Sequence, residues 1–236
     1  MIRRLLLVVA VFGLIFAGTG CSTDEGADQK TSAADTMKKQ TPQSQVPQAP
    51  TLDPDSLAAF RYPIKDDNNK FVTIATDFGN MTLELYRDVA PAHADSFLAR
   101  SREGFYDGTI FHRIINRFMI QGGDPTGTGT GNAGYYLNAE FSDLPHQDGT
   151  LSMARSTDPN SASCQFFICL ERNRATIGLD KAYTVFGQLI KGYDVLHKIG
   201  ALECVPNPHN PREVSKPKED VYLRKAFESD AEGNKI

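Results

Sequence analysis

The sequence predicts a mainly β fold, a closed antiparallel barrel capped by two α-helices. Three observations carry this. Short apolar segments with strand-like alternation recur between residues 71 and 190, turn chemistry separates them, and only two stretches have helical spacing. The chain has 236 residues, 40% of them hydrophobic, so it can bury a sizeable core without disulfides or metals. Nineteen glycines, thirteen prolines and no tryptophan suit turns and strands better than long helices, and no repeat of 20–50 residues is visible.

Each element has its own signal. Phe71 to Thr76 is a strand, and Asp77-Phe78-Gly79-Asn80 is a turn. Met81 to Tyr86 then alternates Met81, Leu83 and Leu85 with Thr82, Glu84 and Tyr86, which makes a hairpin with one buried face. Pro91 suits a first helical position, so Ala92 to Arg100 is the first helix, ending near Gly104. Thr109–Ile115 and Phe118–Gln121 form a strand pair. Beyond a glycine-rich loop, Thr150–Ala154, Gln165–Leu170 and Tyr183–Ile190 add strands. Tyr193 to Ile199, between Gly192 and Gly200, is the second helix. From Val205 the chain is rich in proline and charge; it closes the domain near Tyr222–Phe227 and then frays.

The N-terminus carries a targeting signal. Arg3 and Arg4 precede thirteen apolar residues, Leu5 to Ala17, and small residues lead to Cys21. The run is shorter than the roughly 20 residues of a membrane-spanning helix. It resembles a bacterial lipoprotein signal, cleaved before a cysteine that then carries lipid, although Gly18 stands where a larger apolar residue is usual. Ordinary cleavage, giving a secreted or periplasmic soluble protein, is the alternative; either way the mature chain is exported. Residues 22 to about 60 mix Ser, Thr, Gln, Pro and both charges with almost no large apolar side chain, a composition that cannot offset the entropy of ordering. The expected organisation is therefore signal peptide 1–20, tether 21–60, folded domain 61–228 and tail 229–236.

Most chemistries lack their residues. A net charge of −4 offers no bulk attraction to nucleic acid. Gly129-Thr130-Gly131-Asn132-Ala133-Gly134 fits G-x-G-x-x-G in letters, but no helix starts there and no acidic residue follows at the required distance, so its glycines serve a sharply turning loop. No G-x-S-x-G elbow and no phosphate-binding G-K-[ST] occur. The five histidines are scattered without metal-ligand spacing. Cys164 and Cys169 lie five apart on one strand, roughly 16 Å, too far for a disulfide; Cys204 could pair with either, or all three are free.

What remains is the strand pair Phe111 to Asp124, where one arginine and one glutamine stand among large apolar residues, and a second segment, Ser163 to Cys169. By parity Gln165 and Phe167 share a face, as do Arg113 and Ile115. This pattern fits a core face with one arginine reaching to water, or an apolar pocket with a few placed polar groups.

The segments FHRII, FMIQGGD, LSMAR and QFFI, followed by Ala182-Tyr183-Thr184-Val185-Phe186-Gly187, resemble the cyclophilin family of peptidyl-prolyl cis–trans isomerases. The resemblance runs from about Phe71 to Leu202 and includes Gly104-Phe105-Tyr106-Asp107-Gly108. It implies an eight-stranded antiparallel barrel closed by two helices, with a shallow proline-binding groove outside. By resemblance Arg113 is the catalytic donor, with Phe118 and Gln121 beside it. Phe118, Met119, Phe167 and Leu179 seat the proline ring, with Tyr183 at the pocket wall. Ala154, Arg155 and Gln165 line the groove for the peptide backbone. No metal, nucleotide or other cofactor is implied, and the partners are proline-containing polypeptides handled by a monomer.

The implied function is an exported isomerase assisting the folding of envelope or secreted proteins. The alternative is a membrane-tethered proline-binding or chaperone module with little turnover. Some positions depart from the family pattern. Asn116-Arg117 replaces a usual Pro-Gly turn, Arg155 a frequent Asn, Tyr183 a common His, and Cys164 a small Ser or Gly, which would make the groove oxidation-sensitive. The indole of many eukaryotic members is absent, with Gly178 or Ile177 in its place. Because that indole helps hold cyclosporin, cyclosporin is expected to inhibit weakly while isomerisation persists. An inhibition titration beside a tryptophan-bearing cyclophilin checks this, and equal potency would refute it.

Overall fold

The computed structural model describes residues 68–236. The signal segment, the tether with Cys21, and residues 61–67 at the expected start of the domain lie outside them. Ten strands and three helices follow in order: β1 (Lys70–Thr76), β2 (Gly79–Leu85), α1 (Pro91–Arg102), β3 (Arg113–Ile115), β4 (Met119–Gly122), β5 (Thr150–Met153), β6 (Phe166–Cys169), α2 (Arg174–Ile177), β7 (Val185–Lys191), α3 (Tyr193–Gly200), β8 (Cys204–Asn207), β9 (Asn210–Pro217) and β10 (Leu223–Ser229).

Eight strands form one antiparallel sheet in the order β10-β1-β2-β7-β5-β6-β4-β3, while β8 and β9 pair separately as a hairpin. The sheet is a curled half-barrel and not the closed barrel expected. Its two edges, β3 and β10, share no ladder. The reason lies in the segment before β3, where only Arg113–Ile115 of the expected Thr109–Ile115 strand joins the sheet. Gly108 turns at φ 77°, and Gly108 and Phe111 give their N–H groups to Leu223 and Val221 carbonyls at 2.8 and 2.9 Å. Across the gap these hydrogen bonds, with Leu223 N–H to the Thr109 carbonyl at 2.8 Å, amount to one isolated bridge, Ile110 with Tyr222, and not to a ladder.

The inner face of the sheet buries Val72, Ile74, Leu83, Ile114, Ile120, Leu151, Phe166, Ile168 and Phe186 against α1 and α3. The α1 helix contributes Phe97, whose ring meets Phe166 edge-on at 5.1 Å. Ala90 at the helix N-cap has no side chain to satisfy the first N–H groups. Glu140 does so from far along the chain, accepting from the Ala92 and His93 N–H groups at 3.1 Å each.

Two features escaped the sequence pattern. The four-residue helix α2 is held by a capping box between Asn173 and Thr176. The β8–β9 hairpin carries Pro206, Pro211 and Pro217, residues that argue against a strand in a larger sheet but are tolerated in a two-stranded hairpin. Residues 229–236, set apart as a tail, turn back on β10, with Ile236 N–H donating to the Glu228 carbonyl at 3.3 Å.

The glycine-rich loop after β4 is built around one buried carboxylate. Asp124 accepts from Thr126 N–H (2.7 Å), Thr126 Oγ1 (2.8 Å), Gly129 N–H (2.6 Å) and Gly131 N–H (3.1 Å). A Cβ at Gly131 would collide with Asp124 Oδ1, which explains glycine there. Burial alone would raise the Asp124 carboxyl, but these donors outweigh it and hold it below the usual range. Asp124→Asn cannot accept all four and should cost about 2–3 kcal/mol at pH 7. Because the folded-state value is depressed, the carboxylate's stabilisation is present above the unfolded value of about 3.9 and fades as pH falls through the folded one. Urea unfolding of both proteins at pH 7 and in acid should show the gap narrowing in acid; a gap independent of pH would contradict this.

Candidate active site

Strand register assembles the site. In the β3–β4–β6–β5 ladder Arg113 lies opposite Gln121, Gln121 opposite Phe167, and Phe167 opposite Ser152. One step along the same face, Ile115 lies opposite Met119 and Met119 opposite Cys169. The intervening residues, Ile114, Ile120 and Ile168, point to the main core. The outer face therefore has its own apolar cluster of Met119, Phe167 and Cys169, joined by Ile115, Phe118, Ala154, Leu179 and Tyr183.

An open pocket of about 190 Å³ is set in this cluster, lined by Arg113, Phe118, Met119, Gln121, Ala154, Arg155, Phe167, Leu179 and Tyr183. Every groove residue expected from the sequence except Gln165 is here. Gln165 lines a neighbouring hollow of about 290 Å³ that shares Gln121, Ala154 and Arg155 and adds the glycine loop and Tyr136. The floor is Phe167, with His146 stacked behind it at 5.9 Å and Tyr183 edge-on at 5.8 Å.

Polar groups form a chain along the rim. Arg113 Nη1 donates to Gln121 Oε1 at 3.2 Å, Gln121 Nε2 to Gln165 Oε1 at 3.0 Å, and Gln165 Nε2 to the Gly131 carbonyl at 2.9 Å. The loop anchored by Asp124 thus ends the chain that orients Arg113. At the other end stands a residue the sequence pattern did not reveal. Arg113 Nε and Nη2 donate to Glu213 Oε1 and Oε2 at 2.7 and 2.8 Å. The hydrogen bonds from Arg113 hold the Glu213 carboxyl below its usual range, so Glu213 stays ionised at neutral and mildly acidic pH. Glu213 lies 100 positions away in the proline-rich β9, and no local signal links it to Arg113.

Arg155 lines the groove but spends its donors on its own chain. Nε and Nη2 donate to the Ala182 carbonyl at 3.0 and 2.9 Å, and Nη1 to the Ser156 and Thr157 carbonyls. Its guanidinium also lies 4.6 Å from the Tyr183 ring centroid. It is a strut that braces the Tyr183 wall.

The Asn116-Arg117 departure still closes the β3–β4 turn, with Phe118 N–H donating to the Ile115 carbonyl at 3.0 Å. The left-handed conformation that glycine takes without strain falls on Arg117, at φ 60°. Glu171 pairs with the Arg117 guanidinium at 3.1 Å, and Asn173 at the α2 N-cap binds its carbonyl.

The expected oxidation-sensitive Cys164 is corrected. Gln165 faces the groove, so its neighbour Cys164 faces the core, fully buried, with burial pushing its thiol up to about 11. Cys164, Cys169 and Cys204 are all free thiols. A Ser152–His146–Asp180 chain does exist, with His146 Nε2 3.0 Å from Ser152 Oγ and Nδ1 3.1 Å from Asp180. Ser152 is fully buried and gives its proton to the Thr184 carbonyl, so no substrate reaches it as a nucleophile. The chain supports Phe167 from behind.

Residues 71–226 match the family model for cyclophilin type peptidyl-prolyl cis-trans isomerase/CLD. The chain is 41% identical over 167 residues to peptidyl-prolyl cis-trans isomerase-like 1 of Neurospora crassa, covering 68% of this chain and 97% of that one. It is 43% identical over 182 residues to a putative bifunctional phosphatase/peptidyl-prolyl cis-trans isomerase of Streptococcus pyogenes; the match covers 64% of this chain but only 37% of that longer protein. Among solved structures, a Cryptosporidium parvum cyclophilin-type isomerase crystallised in the presence of the dipeptide Ala-Pro superposes with a TM-score of 0.62. It has 33% identity, over 68% of this chain and 99% of that one. With the open half-barrel and its outer groove, these matches lead to one conclusion: the chain belongs to the cyclophilin family of peptidyl-prolyl cis–trans isomerases.

Proposed function

We propose that this isomerase turns X–Pro bonds of exported or envelope polypeptides, with Arg113 stabilising the twisted amide. The single observation that carries the reading is a guanidinium, partly exposed and held in one plane, at the rim of an apolar pocket large enough for a prolyl ring.

The chemistry needs no nucleophile. The X–Pro bond resists rotation because nitrogen shares its lone pair with the carbonyl, a barrier of about 18–20 kcal/mol. Uncatalysed exchange takes tens to hundreds of seconds, so a millisecond step requires a gain of about 10⁵, roughly 7 kcal/mol. Phe118, Met119, Phe167 and Leu179 seat the ring, yet an apolar seat alone binds planar and twisted forms alike. As the bond twists, nitrogen becomes pyramidal and regains its lone pair. An N–H of Arg113 aimed at that lone pair stabilises the twisted state more than either planar state. Gln121, fixed between Arg113 and Gln165, serves the substrate carbonyl.

In cis–trans exchange of a short X–Pro peptide by the full chain, Arg113→Ala should lower kcat/KM by about 10²–10³-fold, with the circular dichroism spectrum unchanged. Retained activity would refute the role of Arg113. The exported setting rests on Arg3, Arg4, the apolar run and Cys21. In a bacterial host fed labelled fatty acid, the chain should take up label and fractionate with membranes, and Cys21→Ser should abolish both. A soluble, unlabelled chain would instead favour secretion.

A further inference from the structure

We infer that Glu213 is a positioning residue for catalysis, a carboxylate clamp that sets the plane of the Arg113 guanidinium before substrate arrives. This rests on the reading of Arg113 as the group that acts on the prolyl nitrogen.

The contact is two-point. Nε and Nη2 of Arg113 meet the two oxygens of Glu213 at 2.7 and 2.8 Å, the fork-to-fork geometry that fixes a guanidinium in orientation as well as in distance. A single hydrogen bond would leave the group free to swing; two parallel ones on one edge remove that freedom. Both partners are only partly exposed, with side-chain exposures of 29% and 24%, so water competes weakly for them.

The clamp is built into the fold. Glu213 sits on β9, whose register with β8 pairs Val205 with Lys216 and Cys204 with Pro217. Two residues on, Ser215 is fully buried and accepts from Asn207 Nδ2 at 3.3 Å across the hairpin. Cys204 Sγ lies 3.6 Å from the Ile114 carbonyl, beside Arg113 on β3. The hairpin is therefore seated against the edge strand that carries the arginine.

A count of donors shows what the clamp leaves free. Of the five guanidinium N–H bonds, two go to Glu213 and one to Gln121. The second Nη1 N–H rests on Met119 Sδ of the pocket at 3.9 Å, a weak acceptor, and one Nη2 N–H has no partner, so with the plane fixed from both sides two donors stay available to a substrate. Such pre-set donors stabilise a developing lone pair without reorganising at the moment of reaction. Removing the clamp should therefore slow turnover more than it weakens peptide binding, because the apolar seat is untouched.

The experiment compares the full chain with Glu213→Gln, Glu213→Ala, Arg113→Ala and the double variant Arg113→Ala/Glu213→Gln, using one X–Pro peptide. Readouts are kcat, KM, the melting temperature and the NMR signal of the Arg113 Nε–H. Glu213→Gln, nearly isosteric and on a partly exposed strand, keeps the fold. It should lower kcat roughly tenfold with KM within about twofold, and the Arg113 Nε–H should lose its protection from exchange with water. Glu213→Ala should lower kcat at least as far. In the Arg113→Ala background Glu213→Gln should change nothing further, since it acts only through the arginine. An unchanged kcat in both Glu213 variants, beside an inactive Arg113→Ala, would overturn the clamp and leave the role of Arg113 standing. An equal loss from Glu213→Gln with and without the arginine would also overturn it, by showing an effect on the hairpin alone. Full activity in Arg113→Ala would instead sink the underlying reading.

Discussion

Burial of β4 and β6 on both faces is the constraint on which the rest depends. In an ordinary half-barrel one face packs and the other meets water. Here Ile120, Phe166 and Ile168 fill the main core while Met119, Phe167 and Cys169 pack outward. The outward cluster needs a cover, and Phe118, Ala154, Leu179 and Tyr183 close over it only in part. The uncovered remainder is the pocket. An apolar depression on the outside of a sheet is thus a consequence of strand register, and a one-residue slip of β6 would turn Phe167 inward and abolish it.

Around that seat the polar groups act as a frame. Glu213, Arg113, Gln121, Gln165 and the Gly131 carbonyl form one continuous hydrogen-bonded line, anchored by the hairpin at one end and by the Asp124 loop at the other. Each polar side chain on the line is partly buried and satisfied by its neighbours, so displacing one leaves another unpaired. Rigidity follows, and rigidity is what a transition-state donor requires. The two other networks at the site, Arg155 on Ala182 and His146 behind Phe167, hold the wall and the floor in the same manner.

The sequence carried much of this and hid the rest for identifiable reasons. Alternation in residues 111–124 and 163–169 put Arg113 with Ile115 and Gln165 with Phe167, the family resemblance added Gln121 to the same groove, and the ladder sets Arg113, Gln121 and Phe167 side by side. Closure of the barrel was misread because apolar content continues from Thr109 through Ile115, while the backbone of the first half turns its hydrogen bonds toward residues 221–223. The β8–β9 hairpin was masked by prolines, and with it Glu213, whose partner is a hundred residues away. Arg155 was legible as a groove residue by resemblance, but not as a strut, since carbonyl acceptors such as Ala182 leave no mark in a side-chain pattern. The direction in which Cys164 points follows from that of Gln165, and that parity was available without the structure.

The central claim is that proline isomerises over the outer cluster. An NMR titration of the chain with an X–Pro peptide, observing peptide and protein together, tests it most directly. The account predicts exchange cross-peaks between the cis and trans peptide signals, accompanied by shifts centred on the Met119 and Leu179 methyls and the Phe167 ring. Exchange cross-peaks with those signals unmoved would place catalysis elsewhere on the molecule and contradict the account.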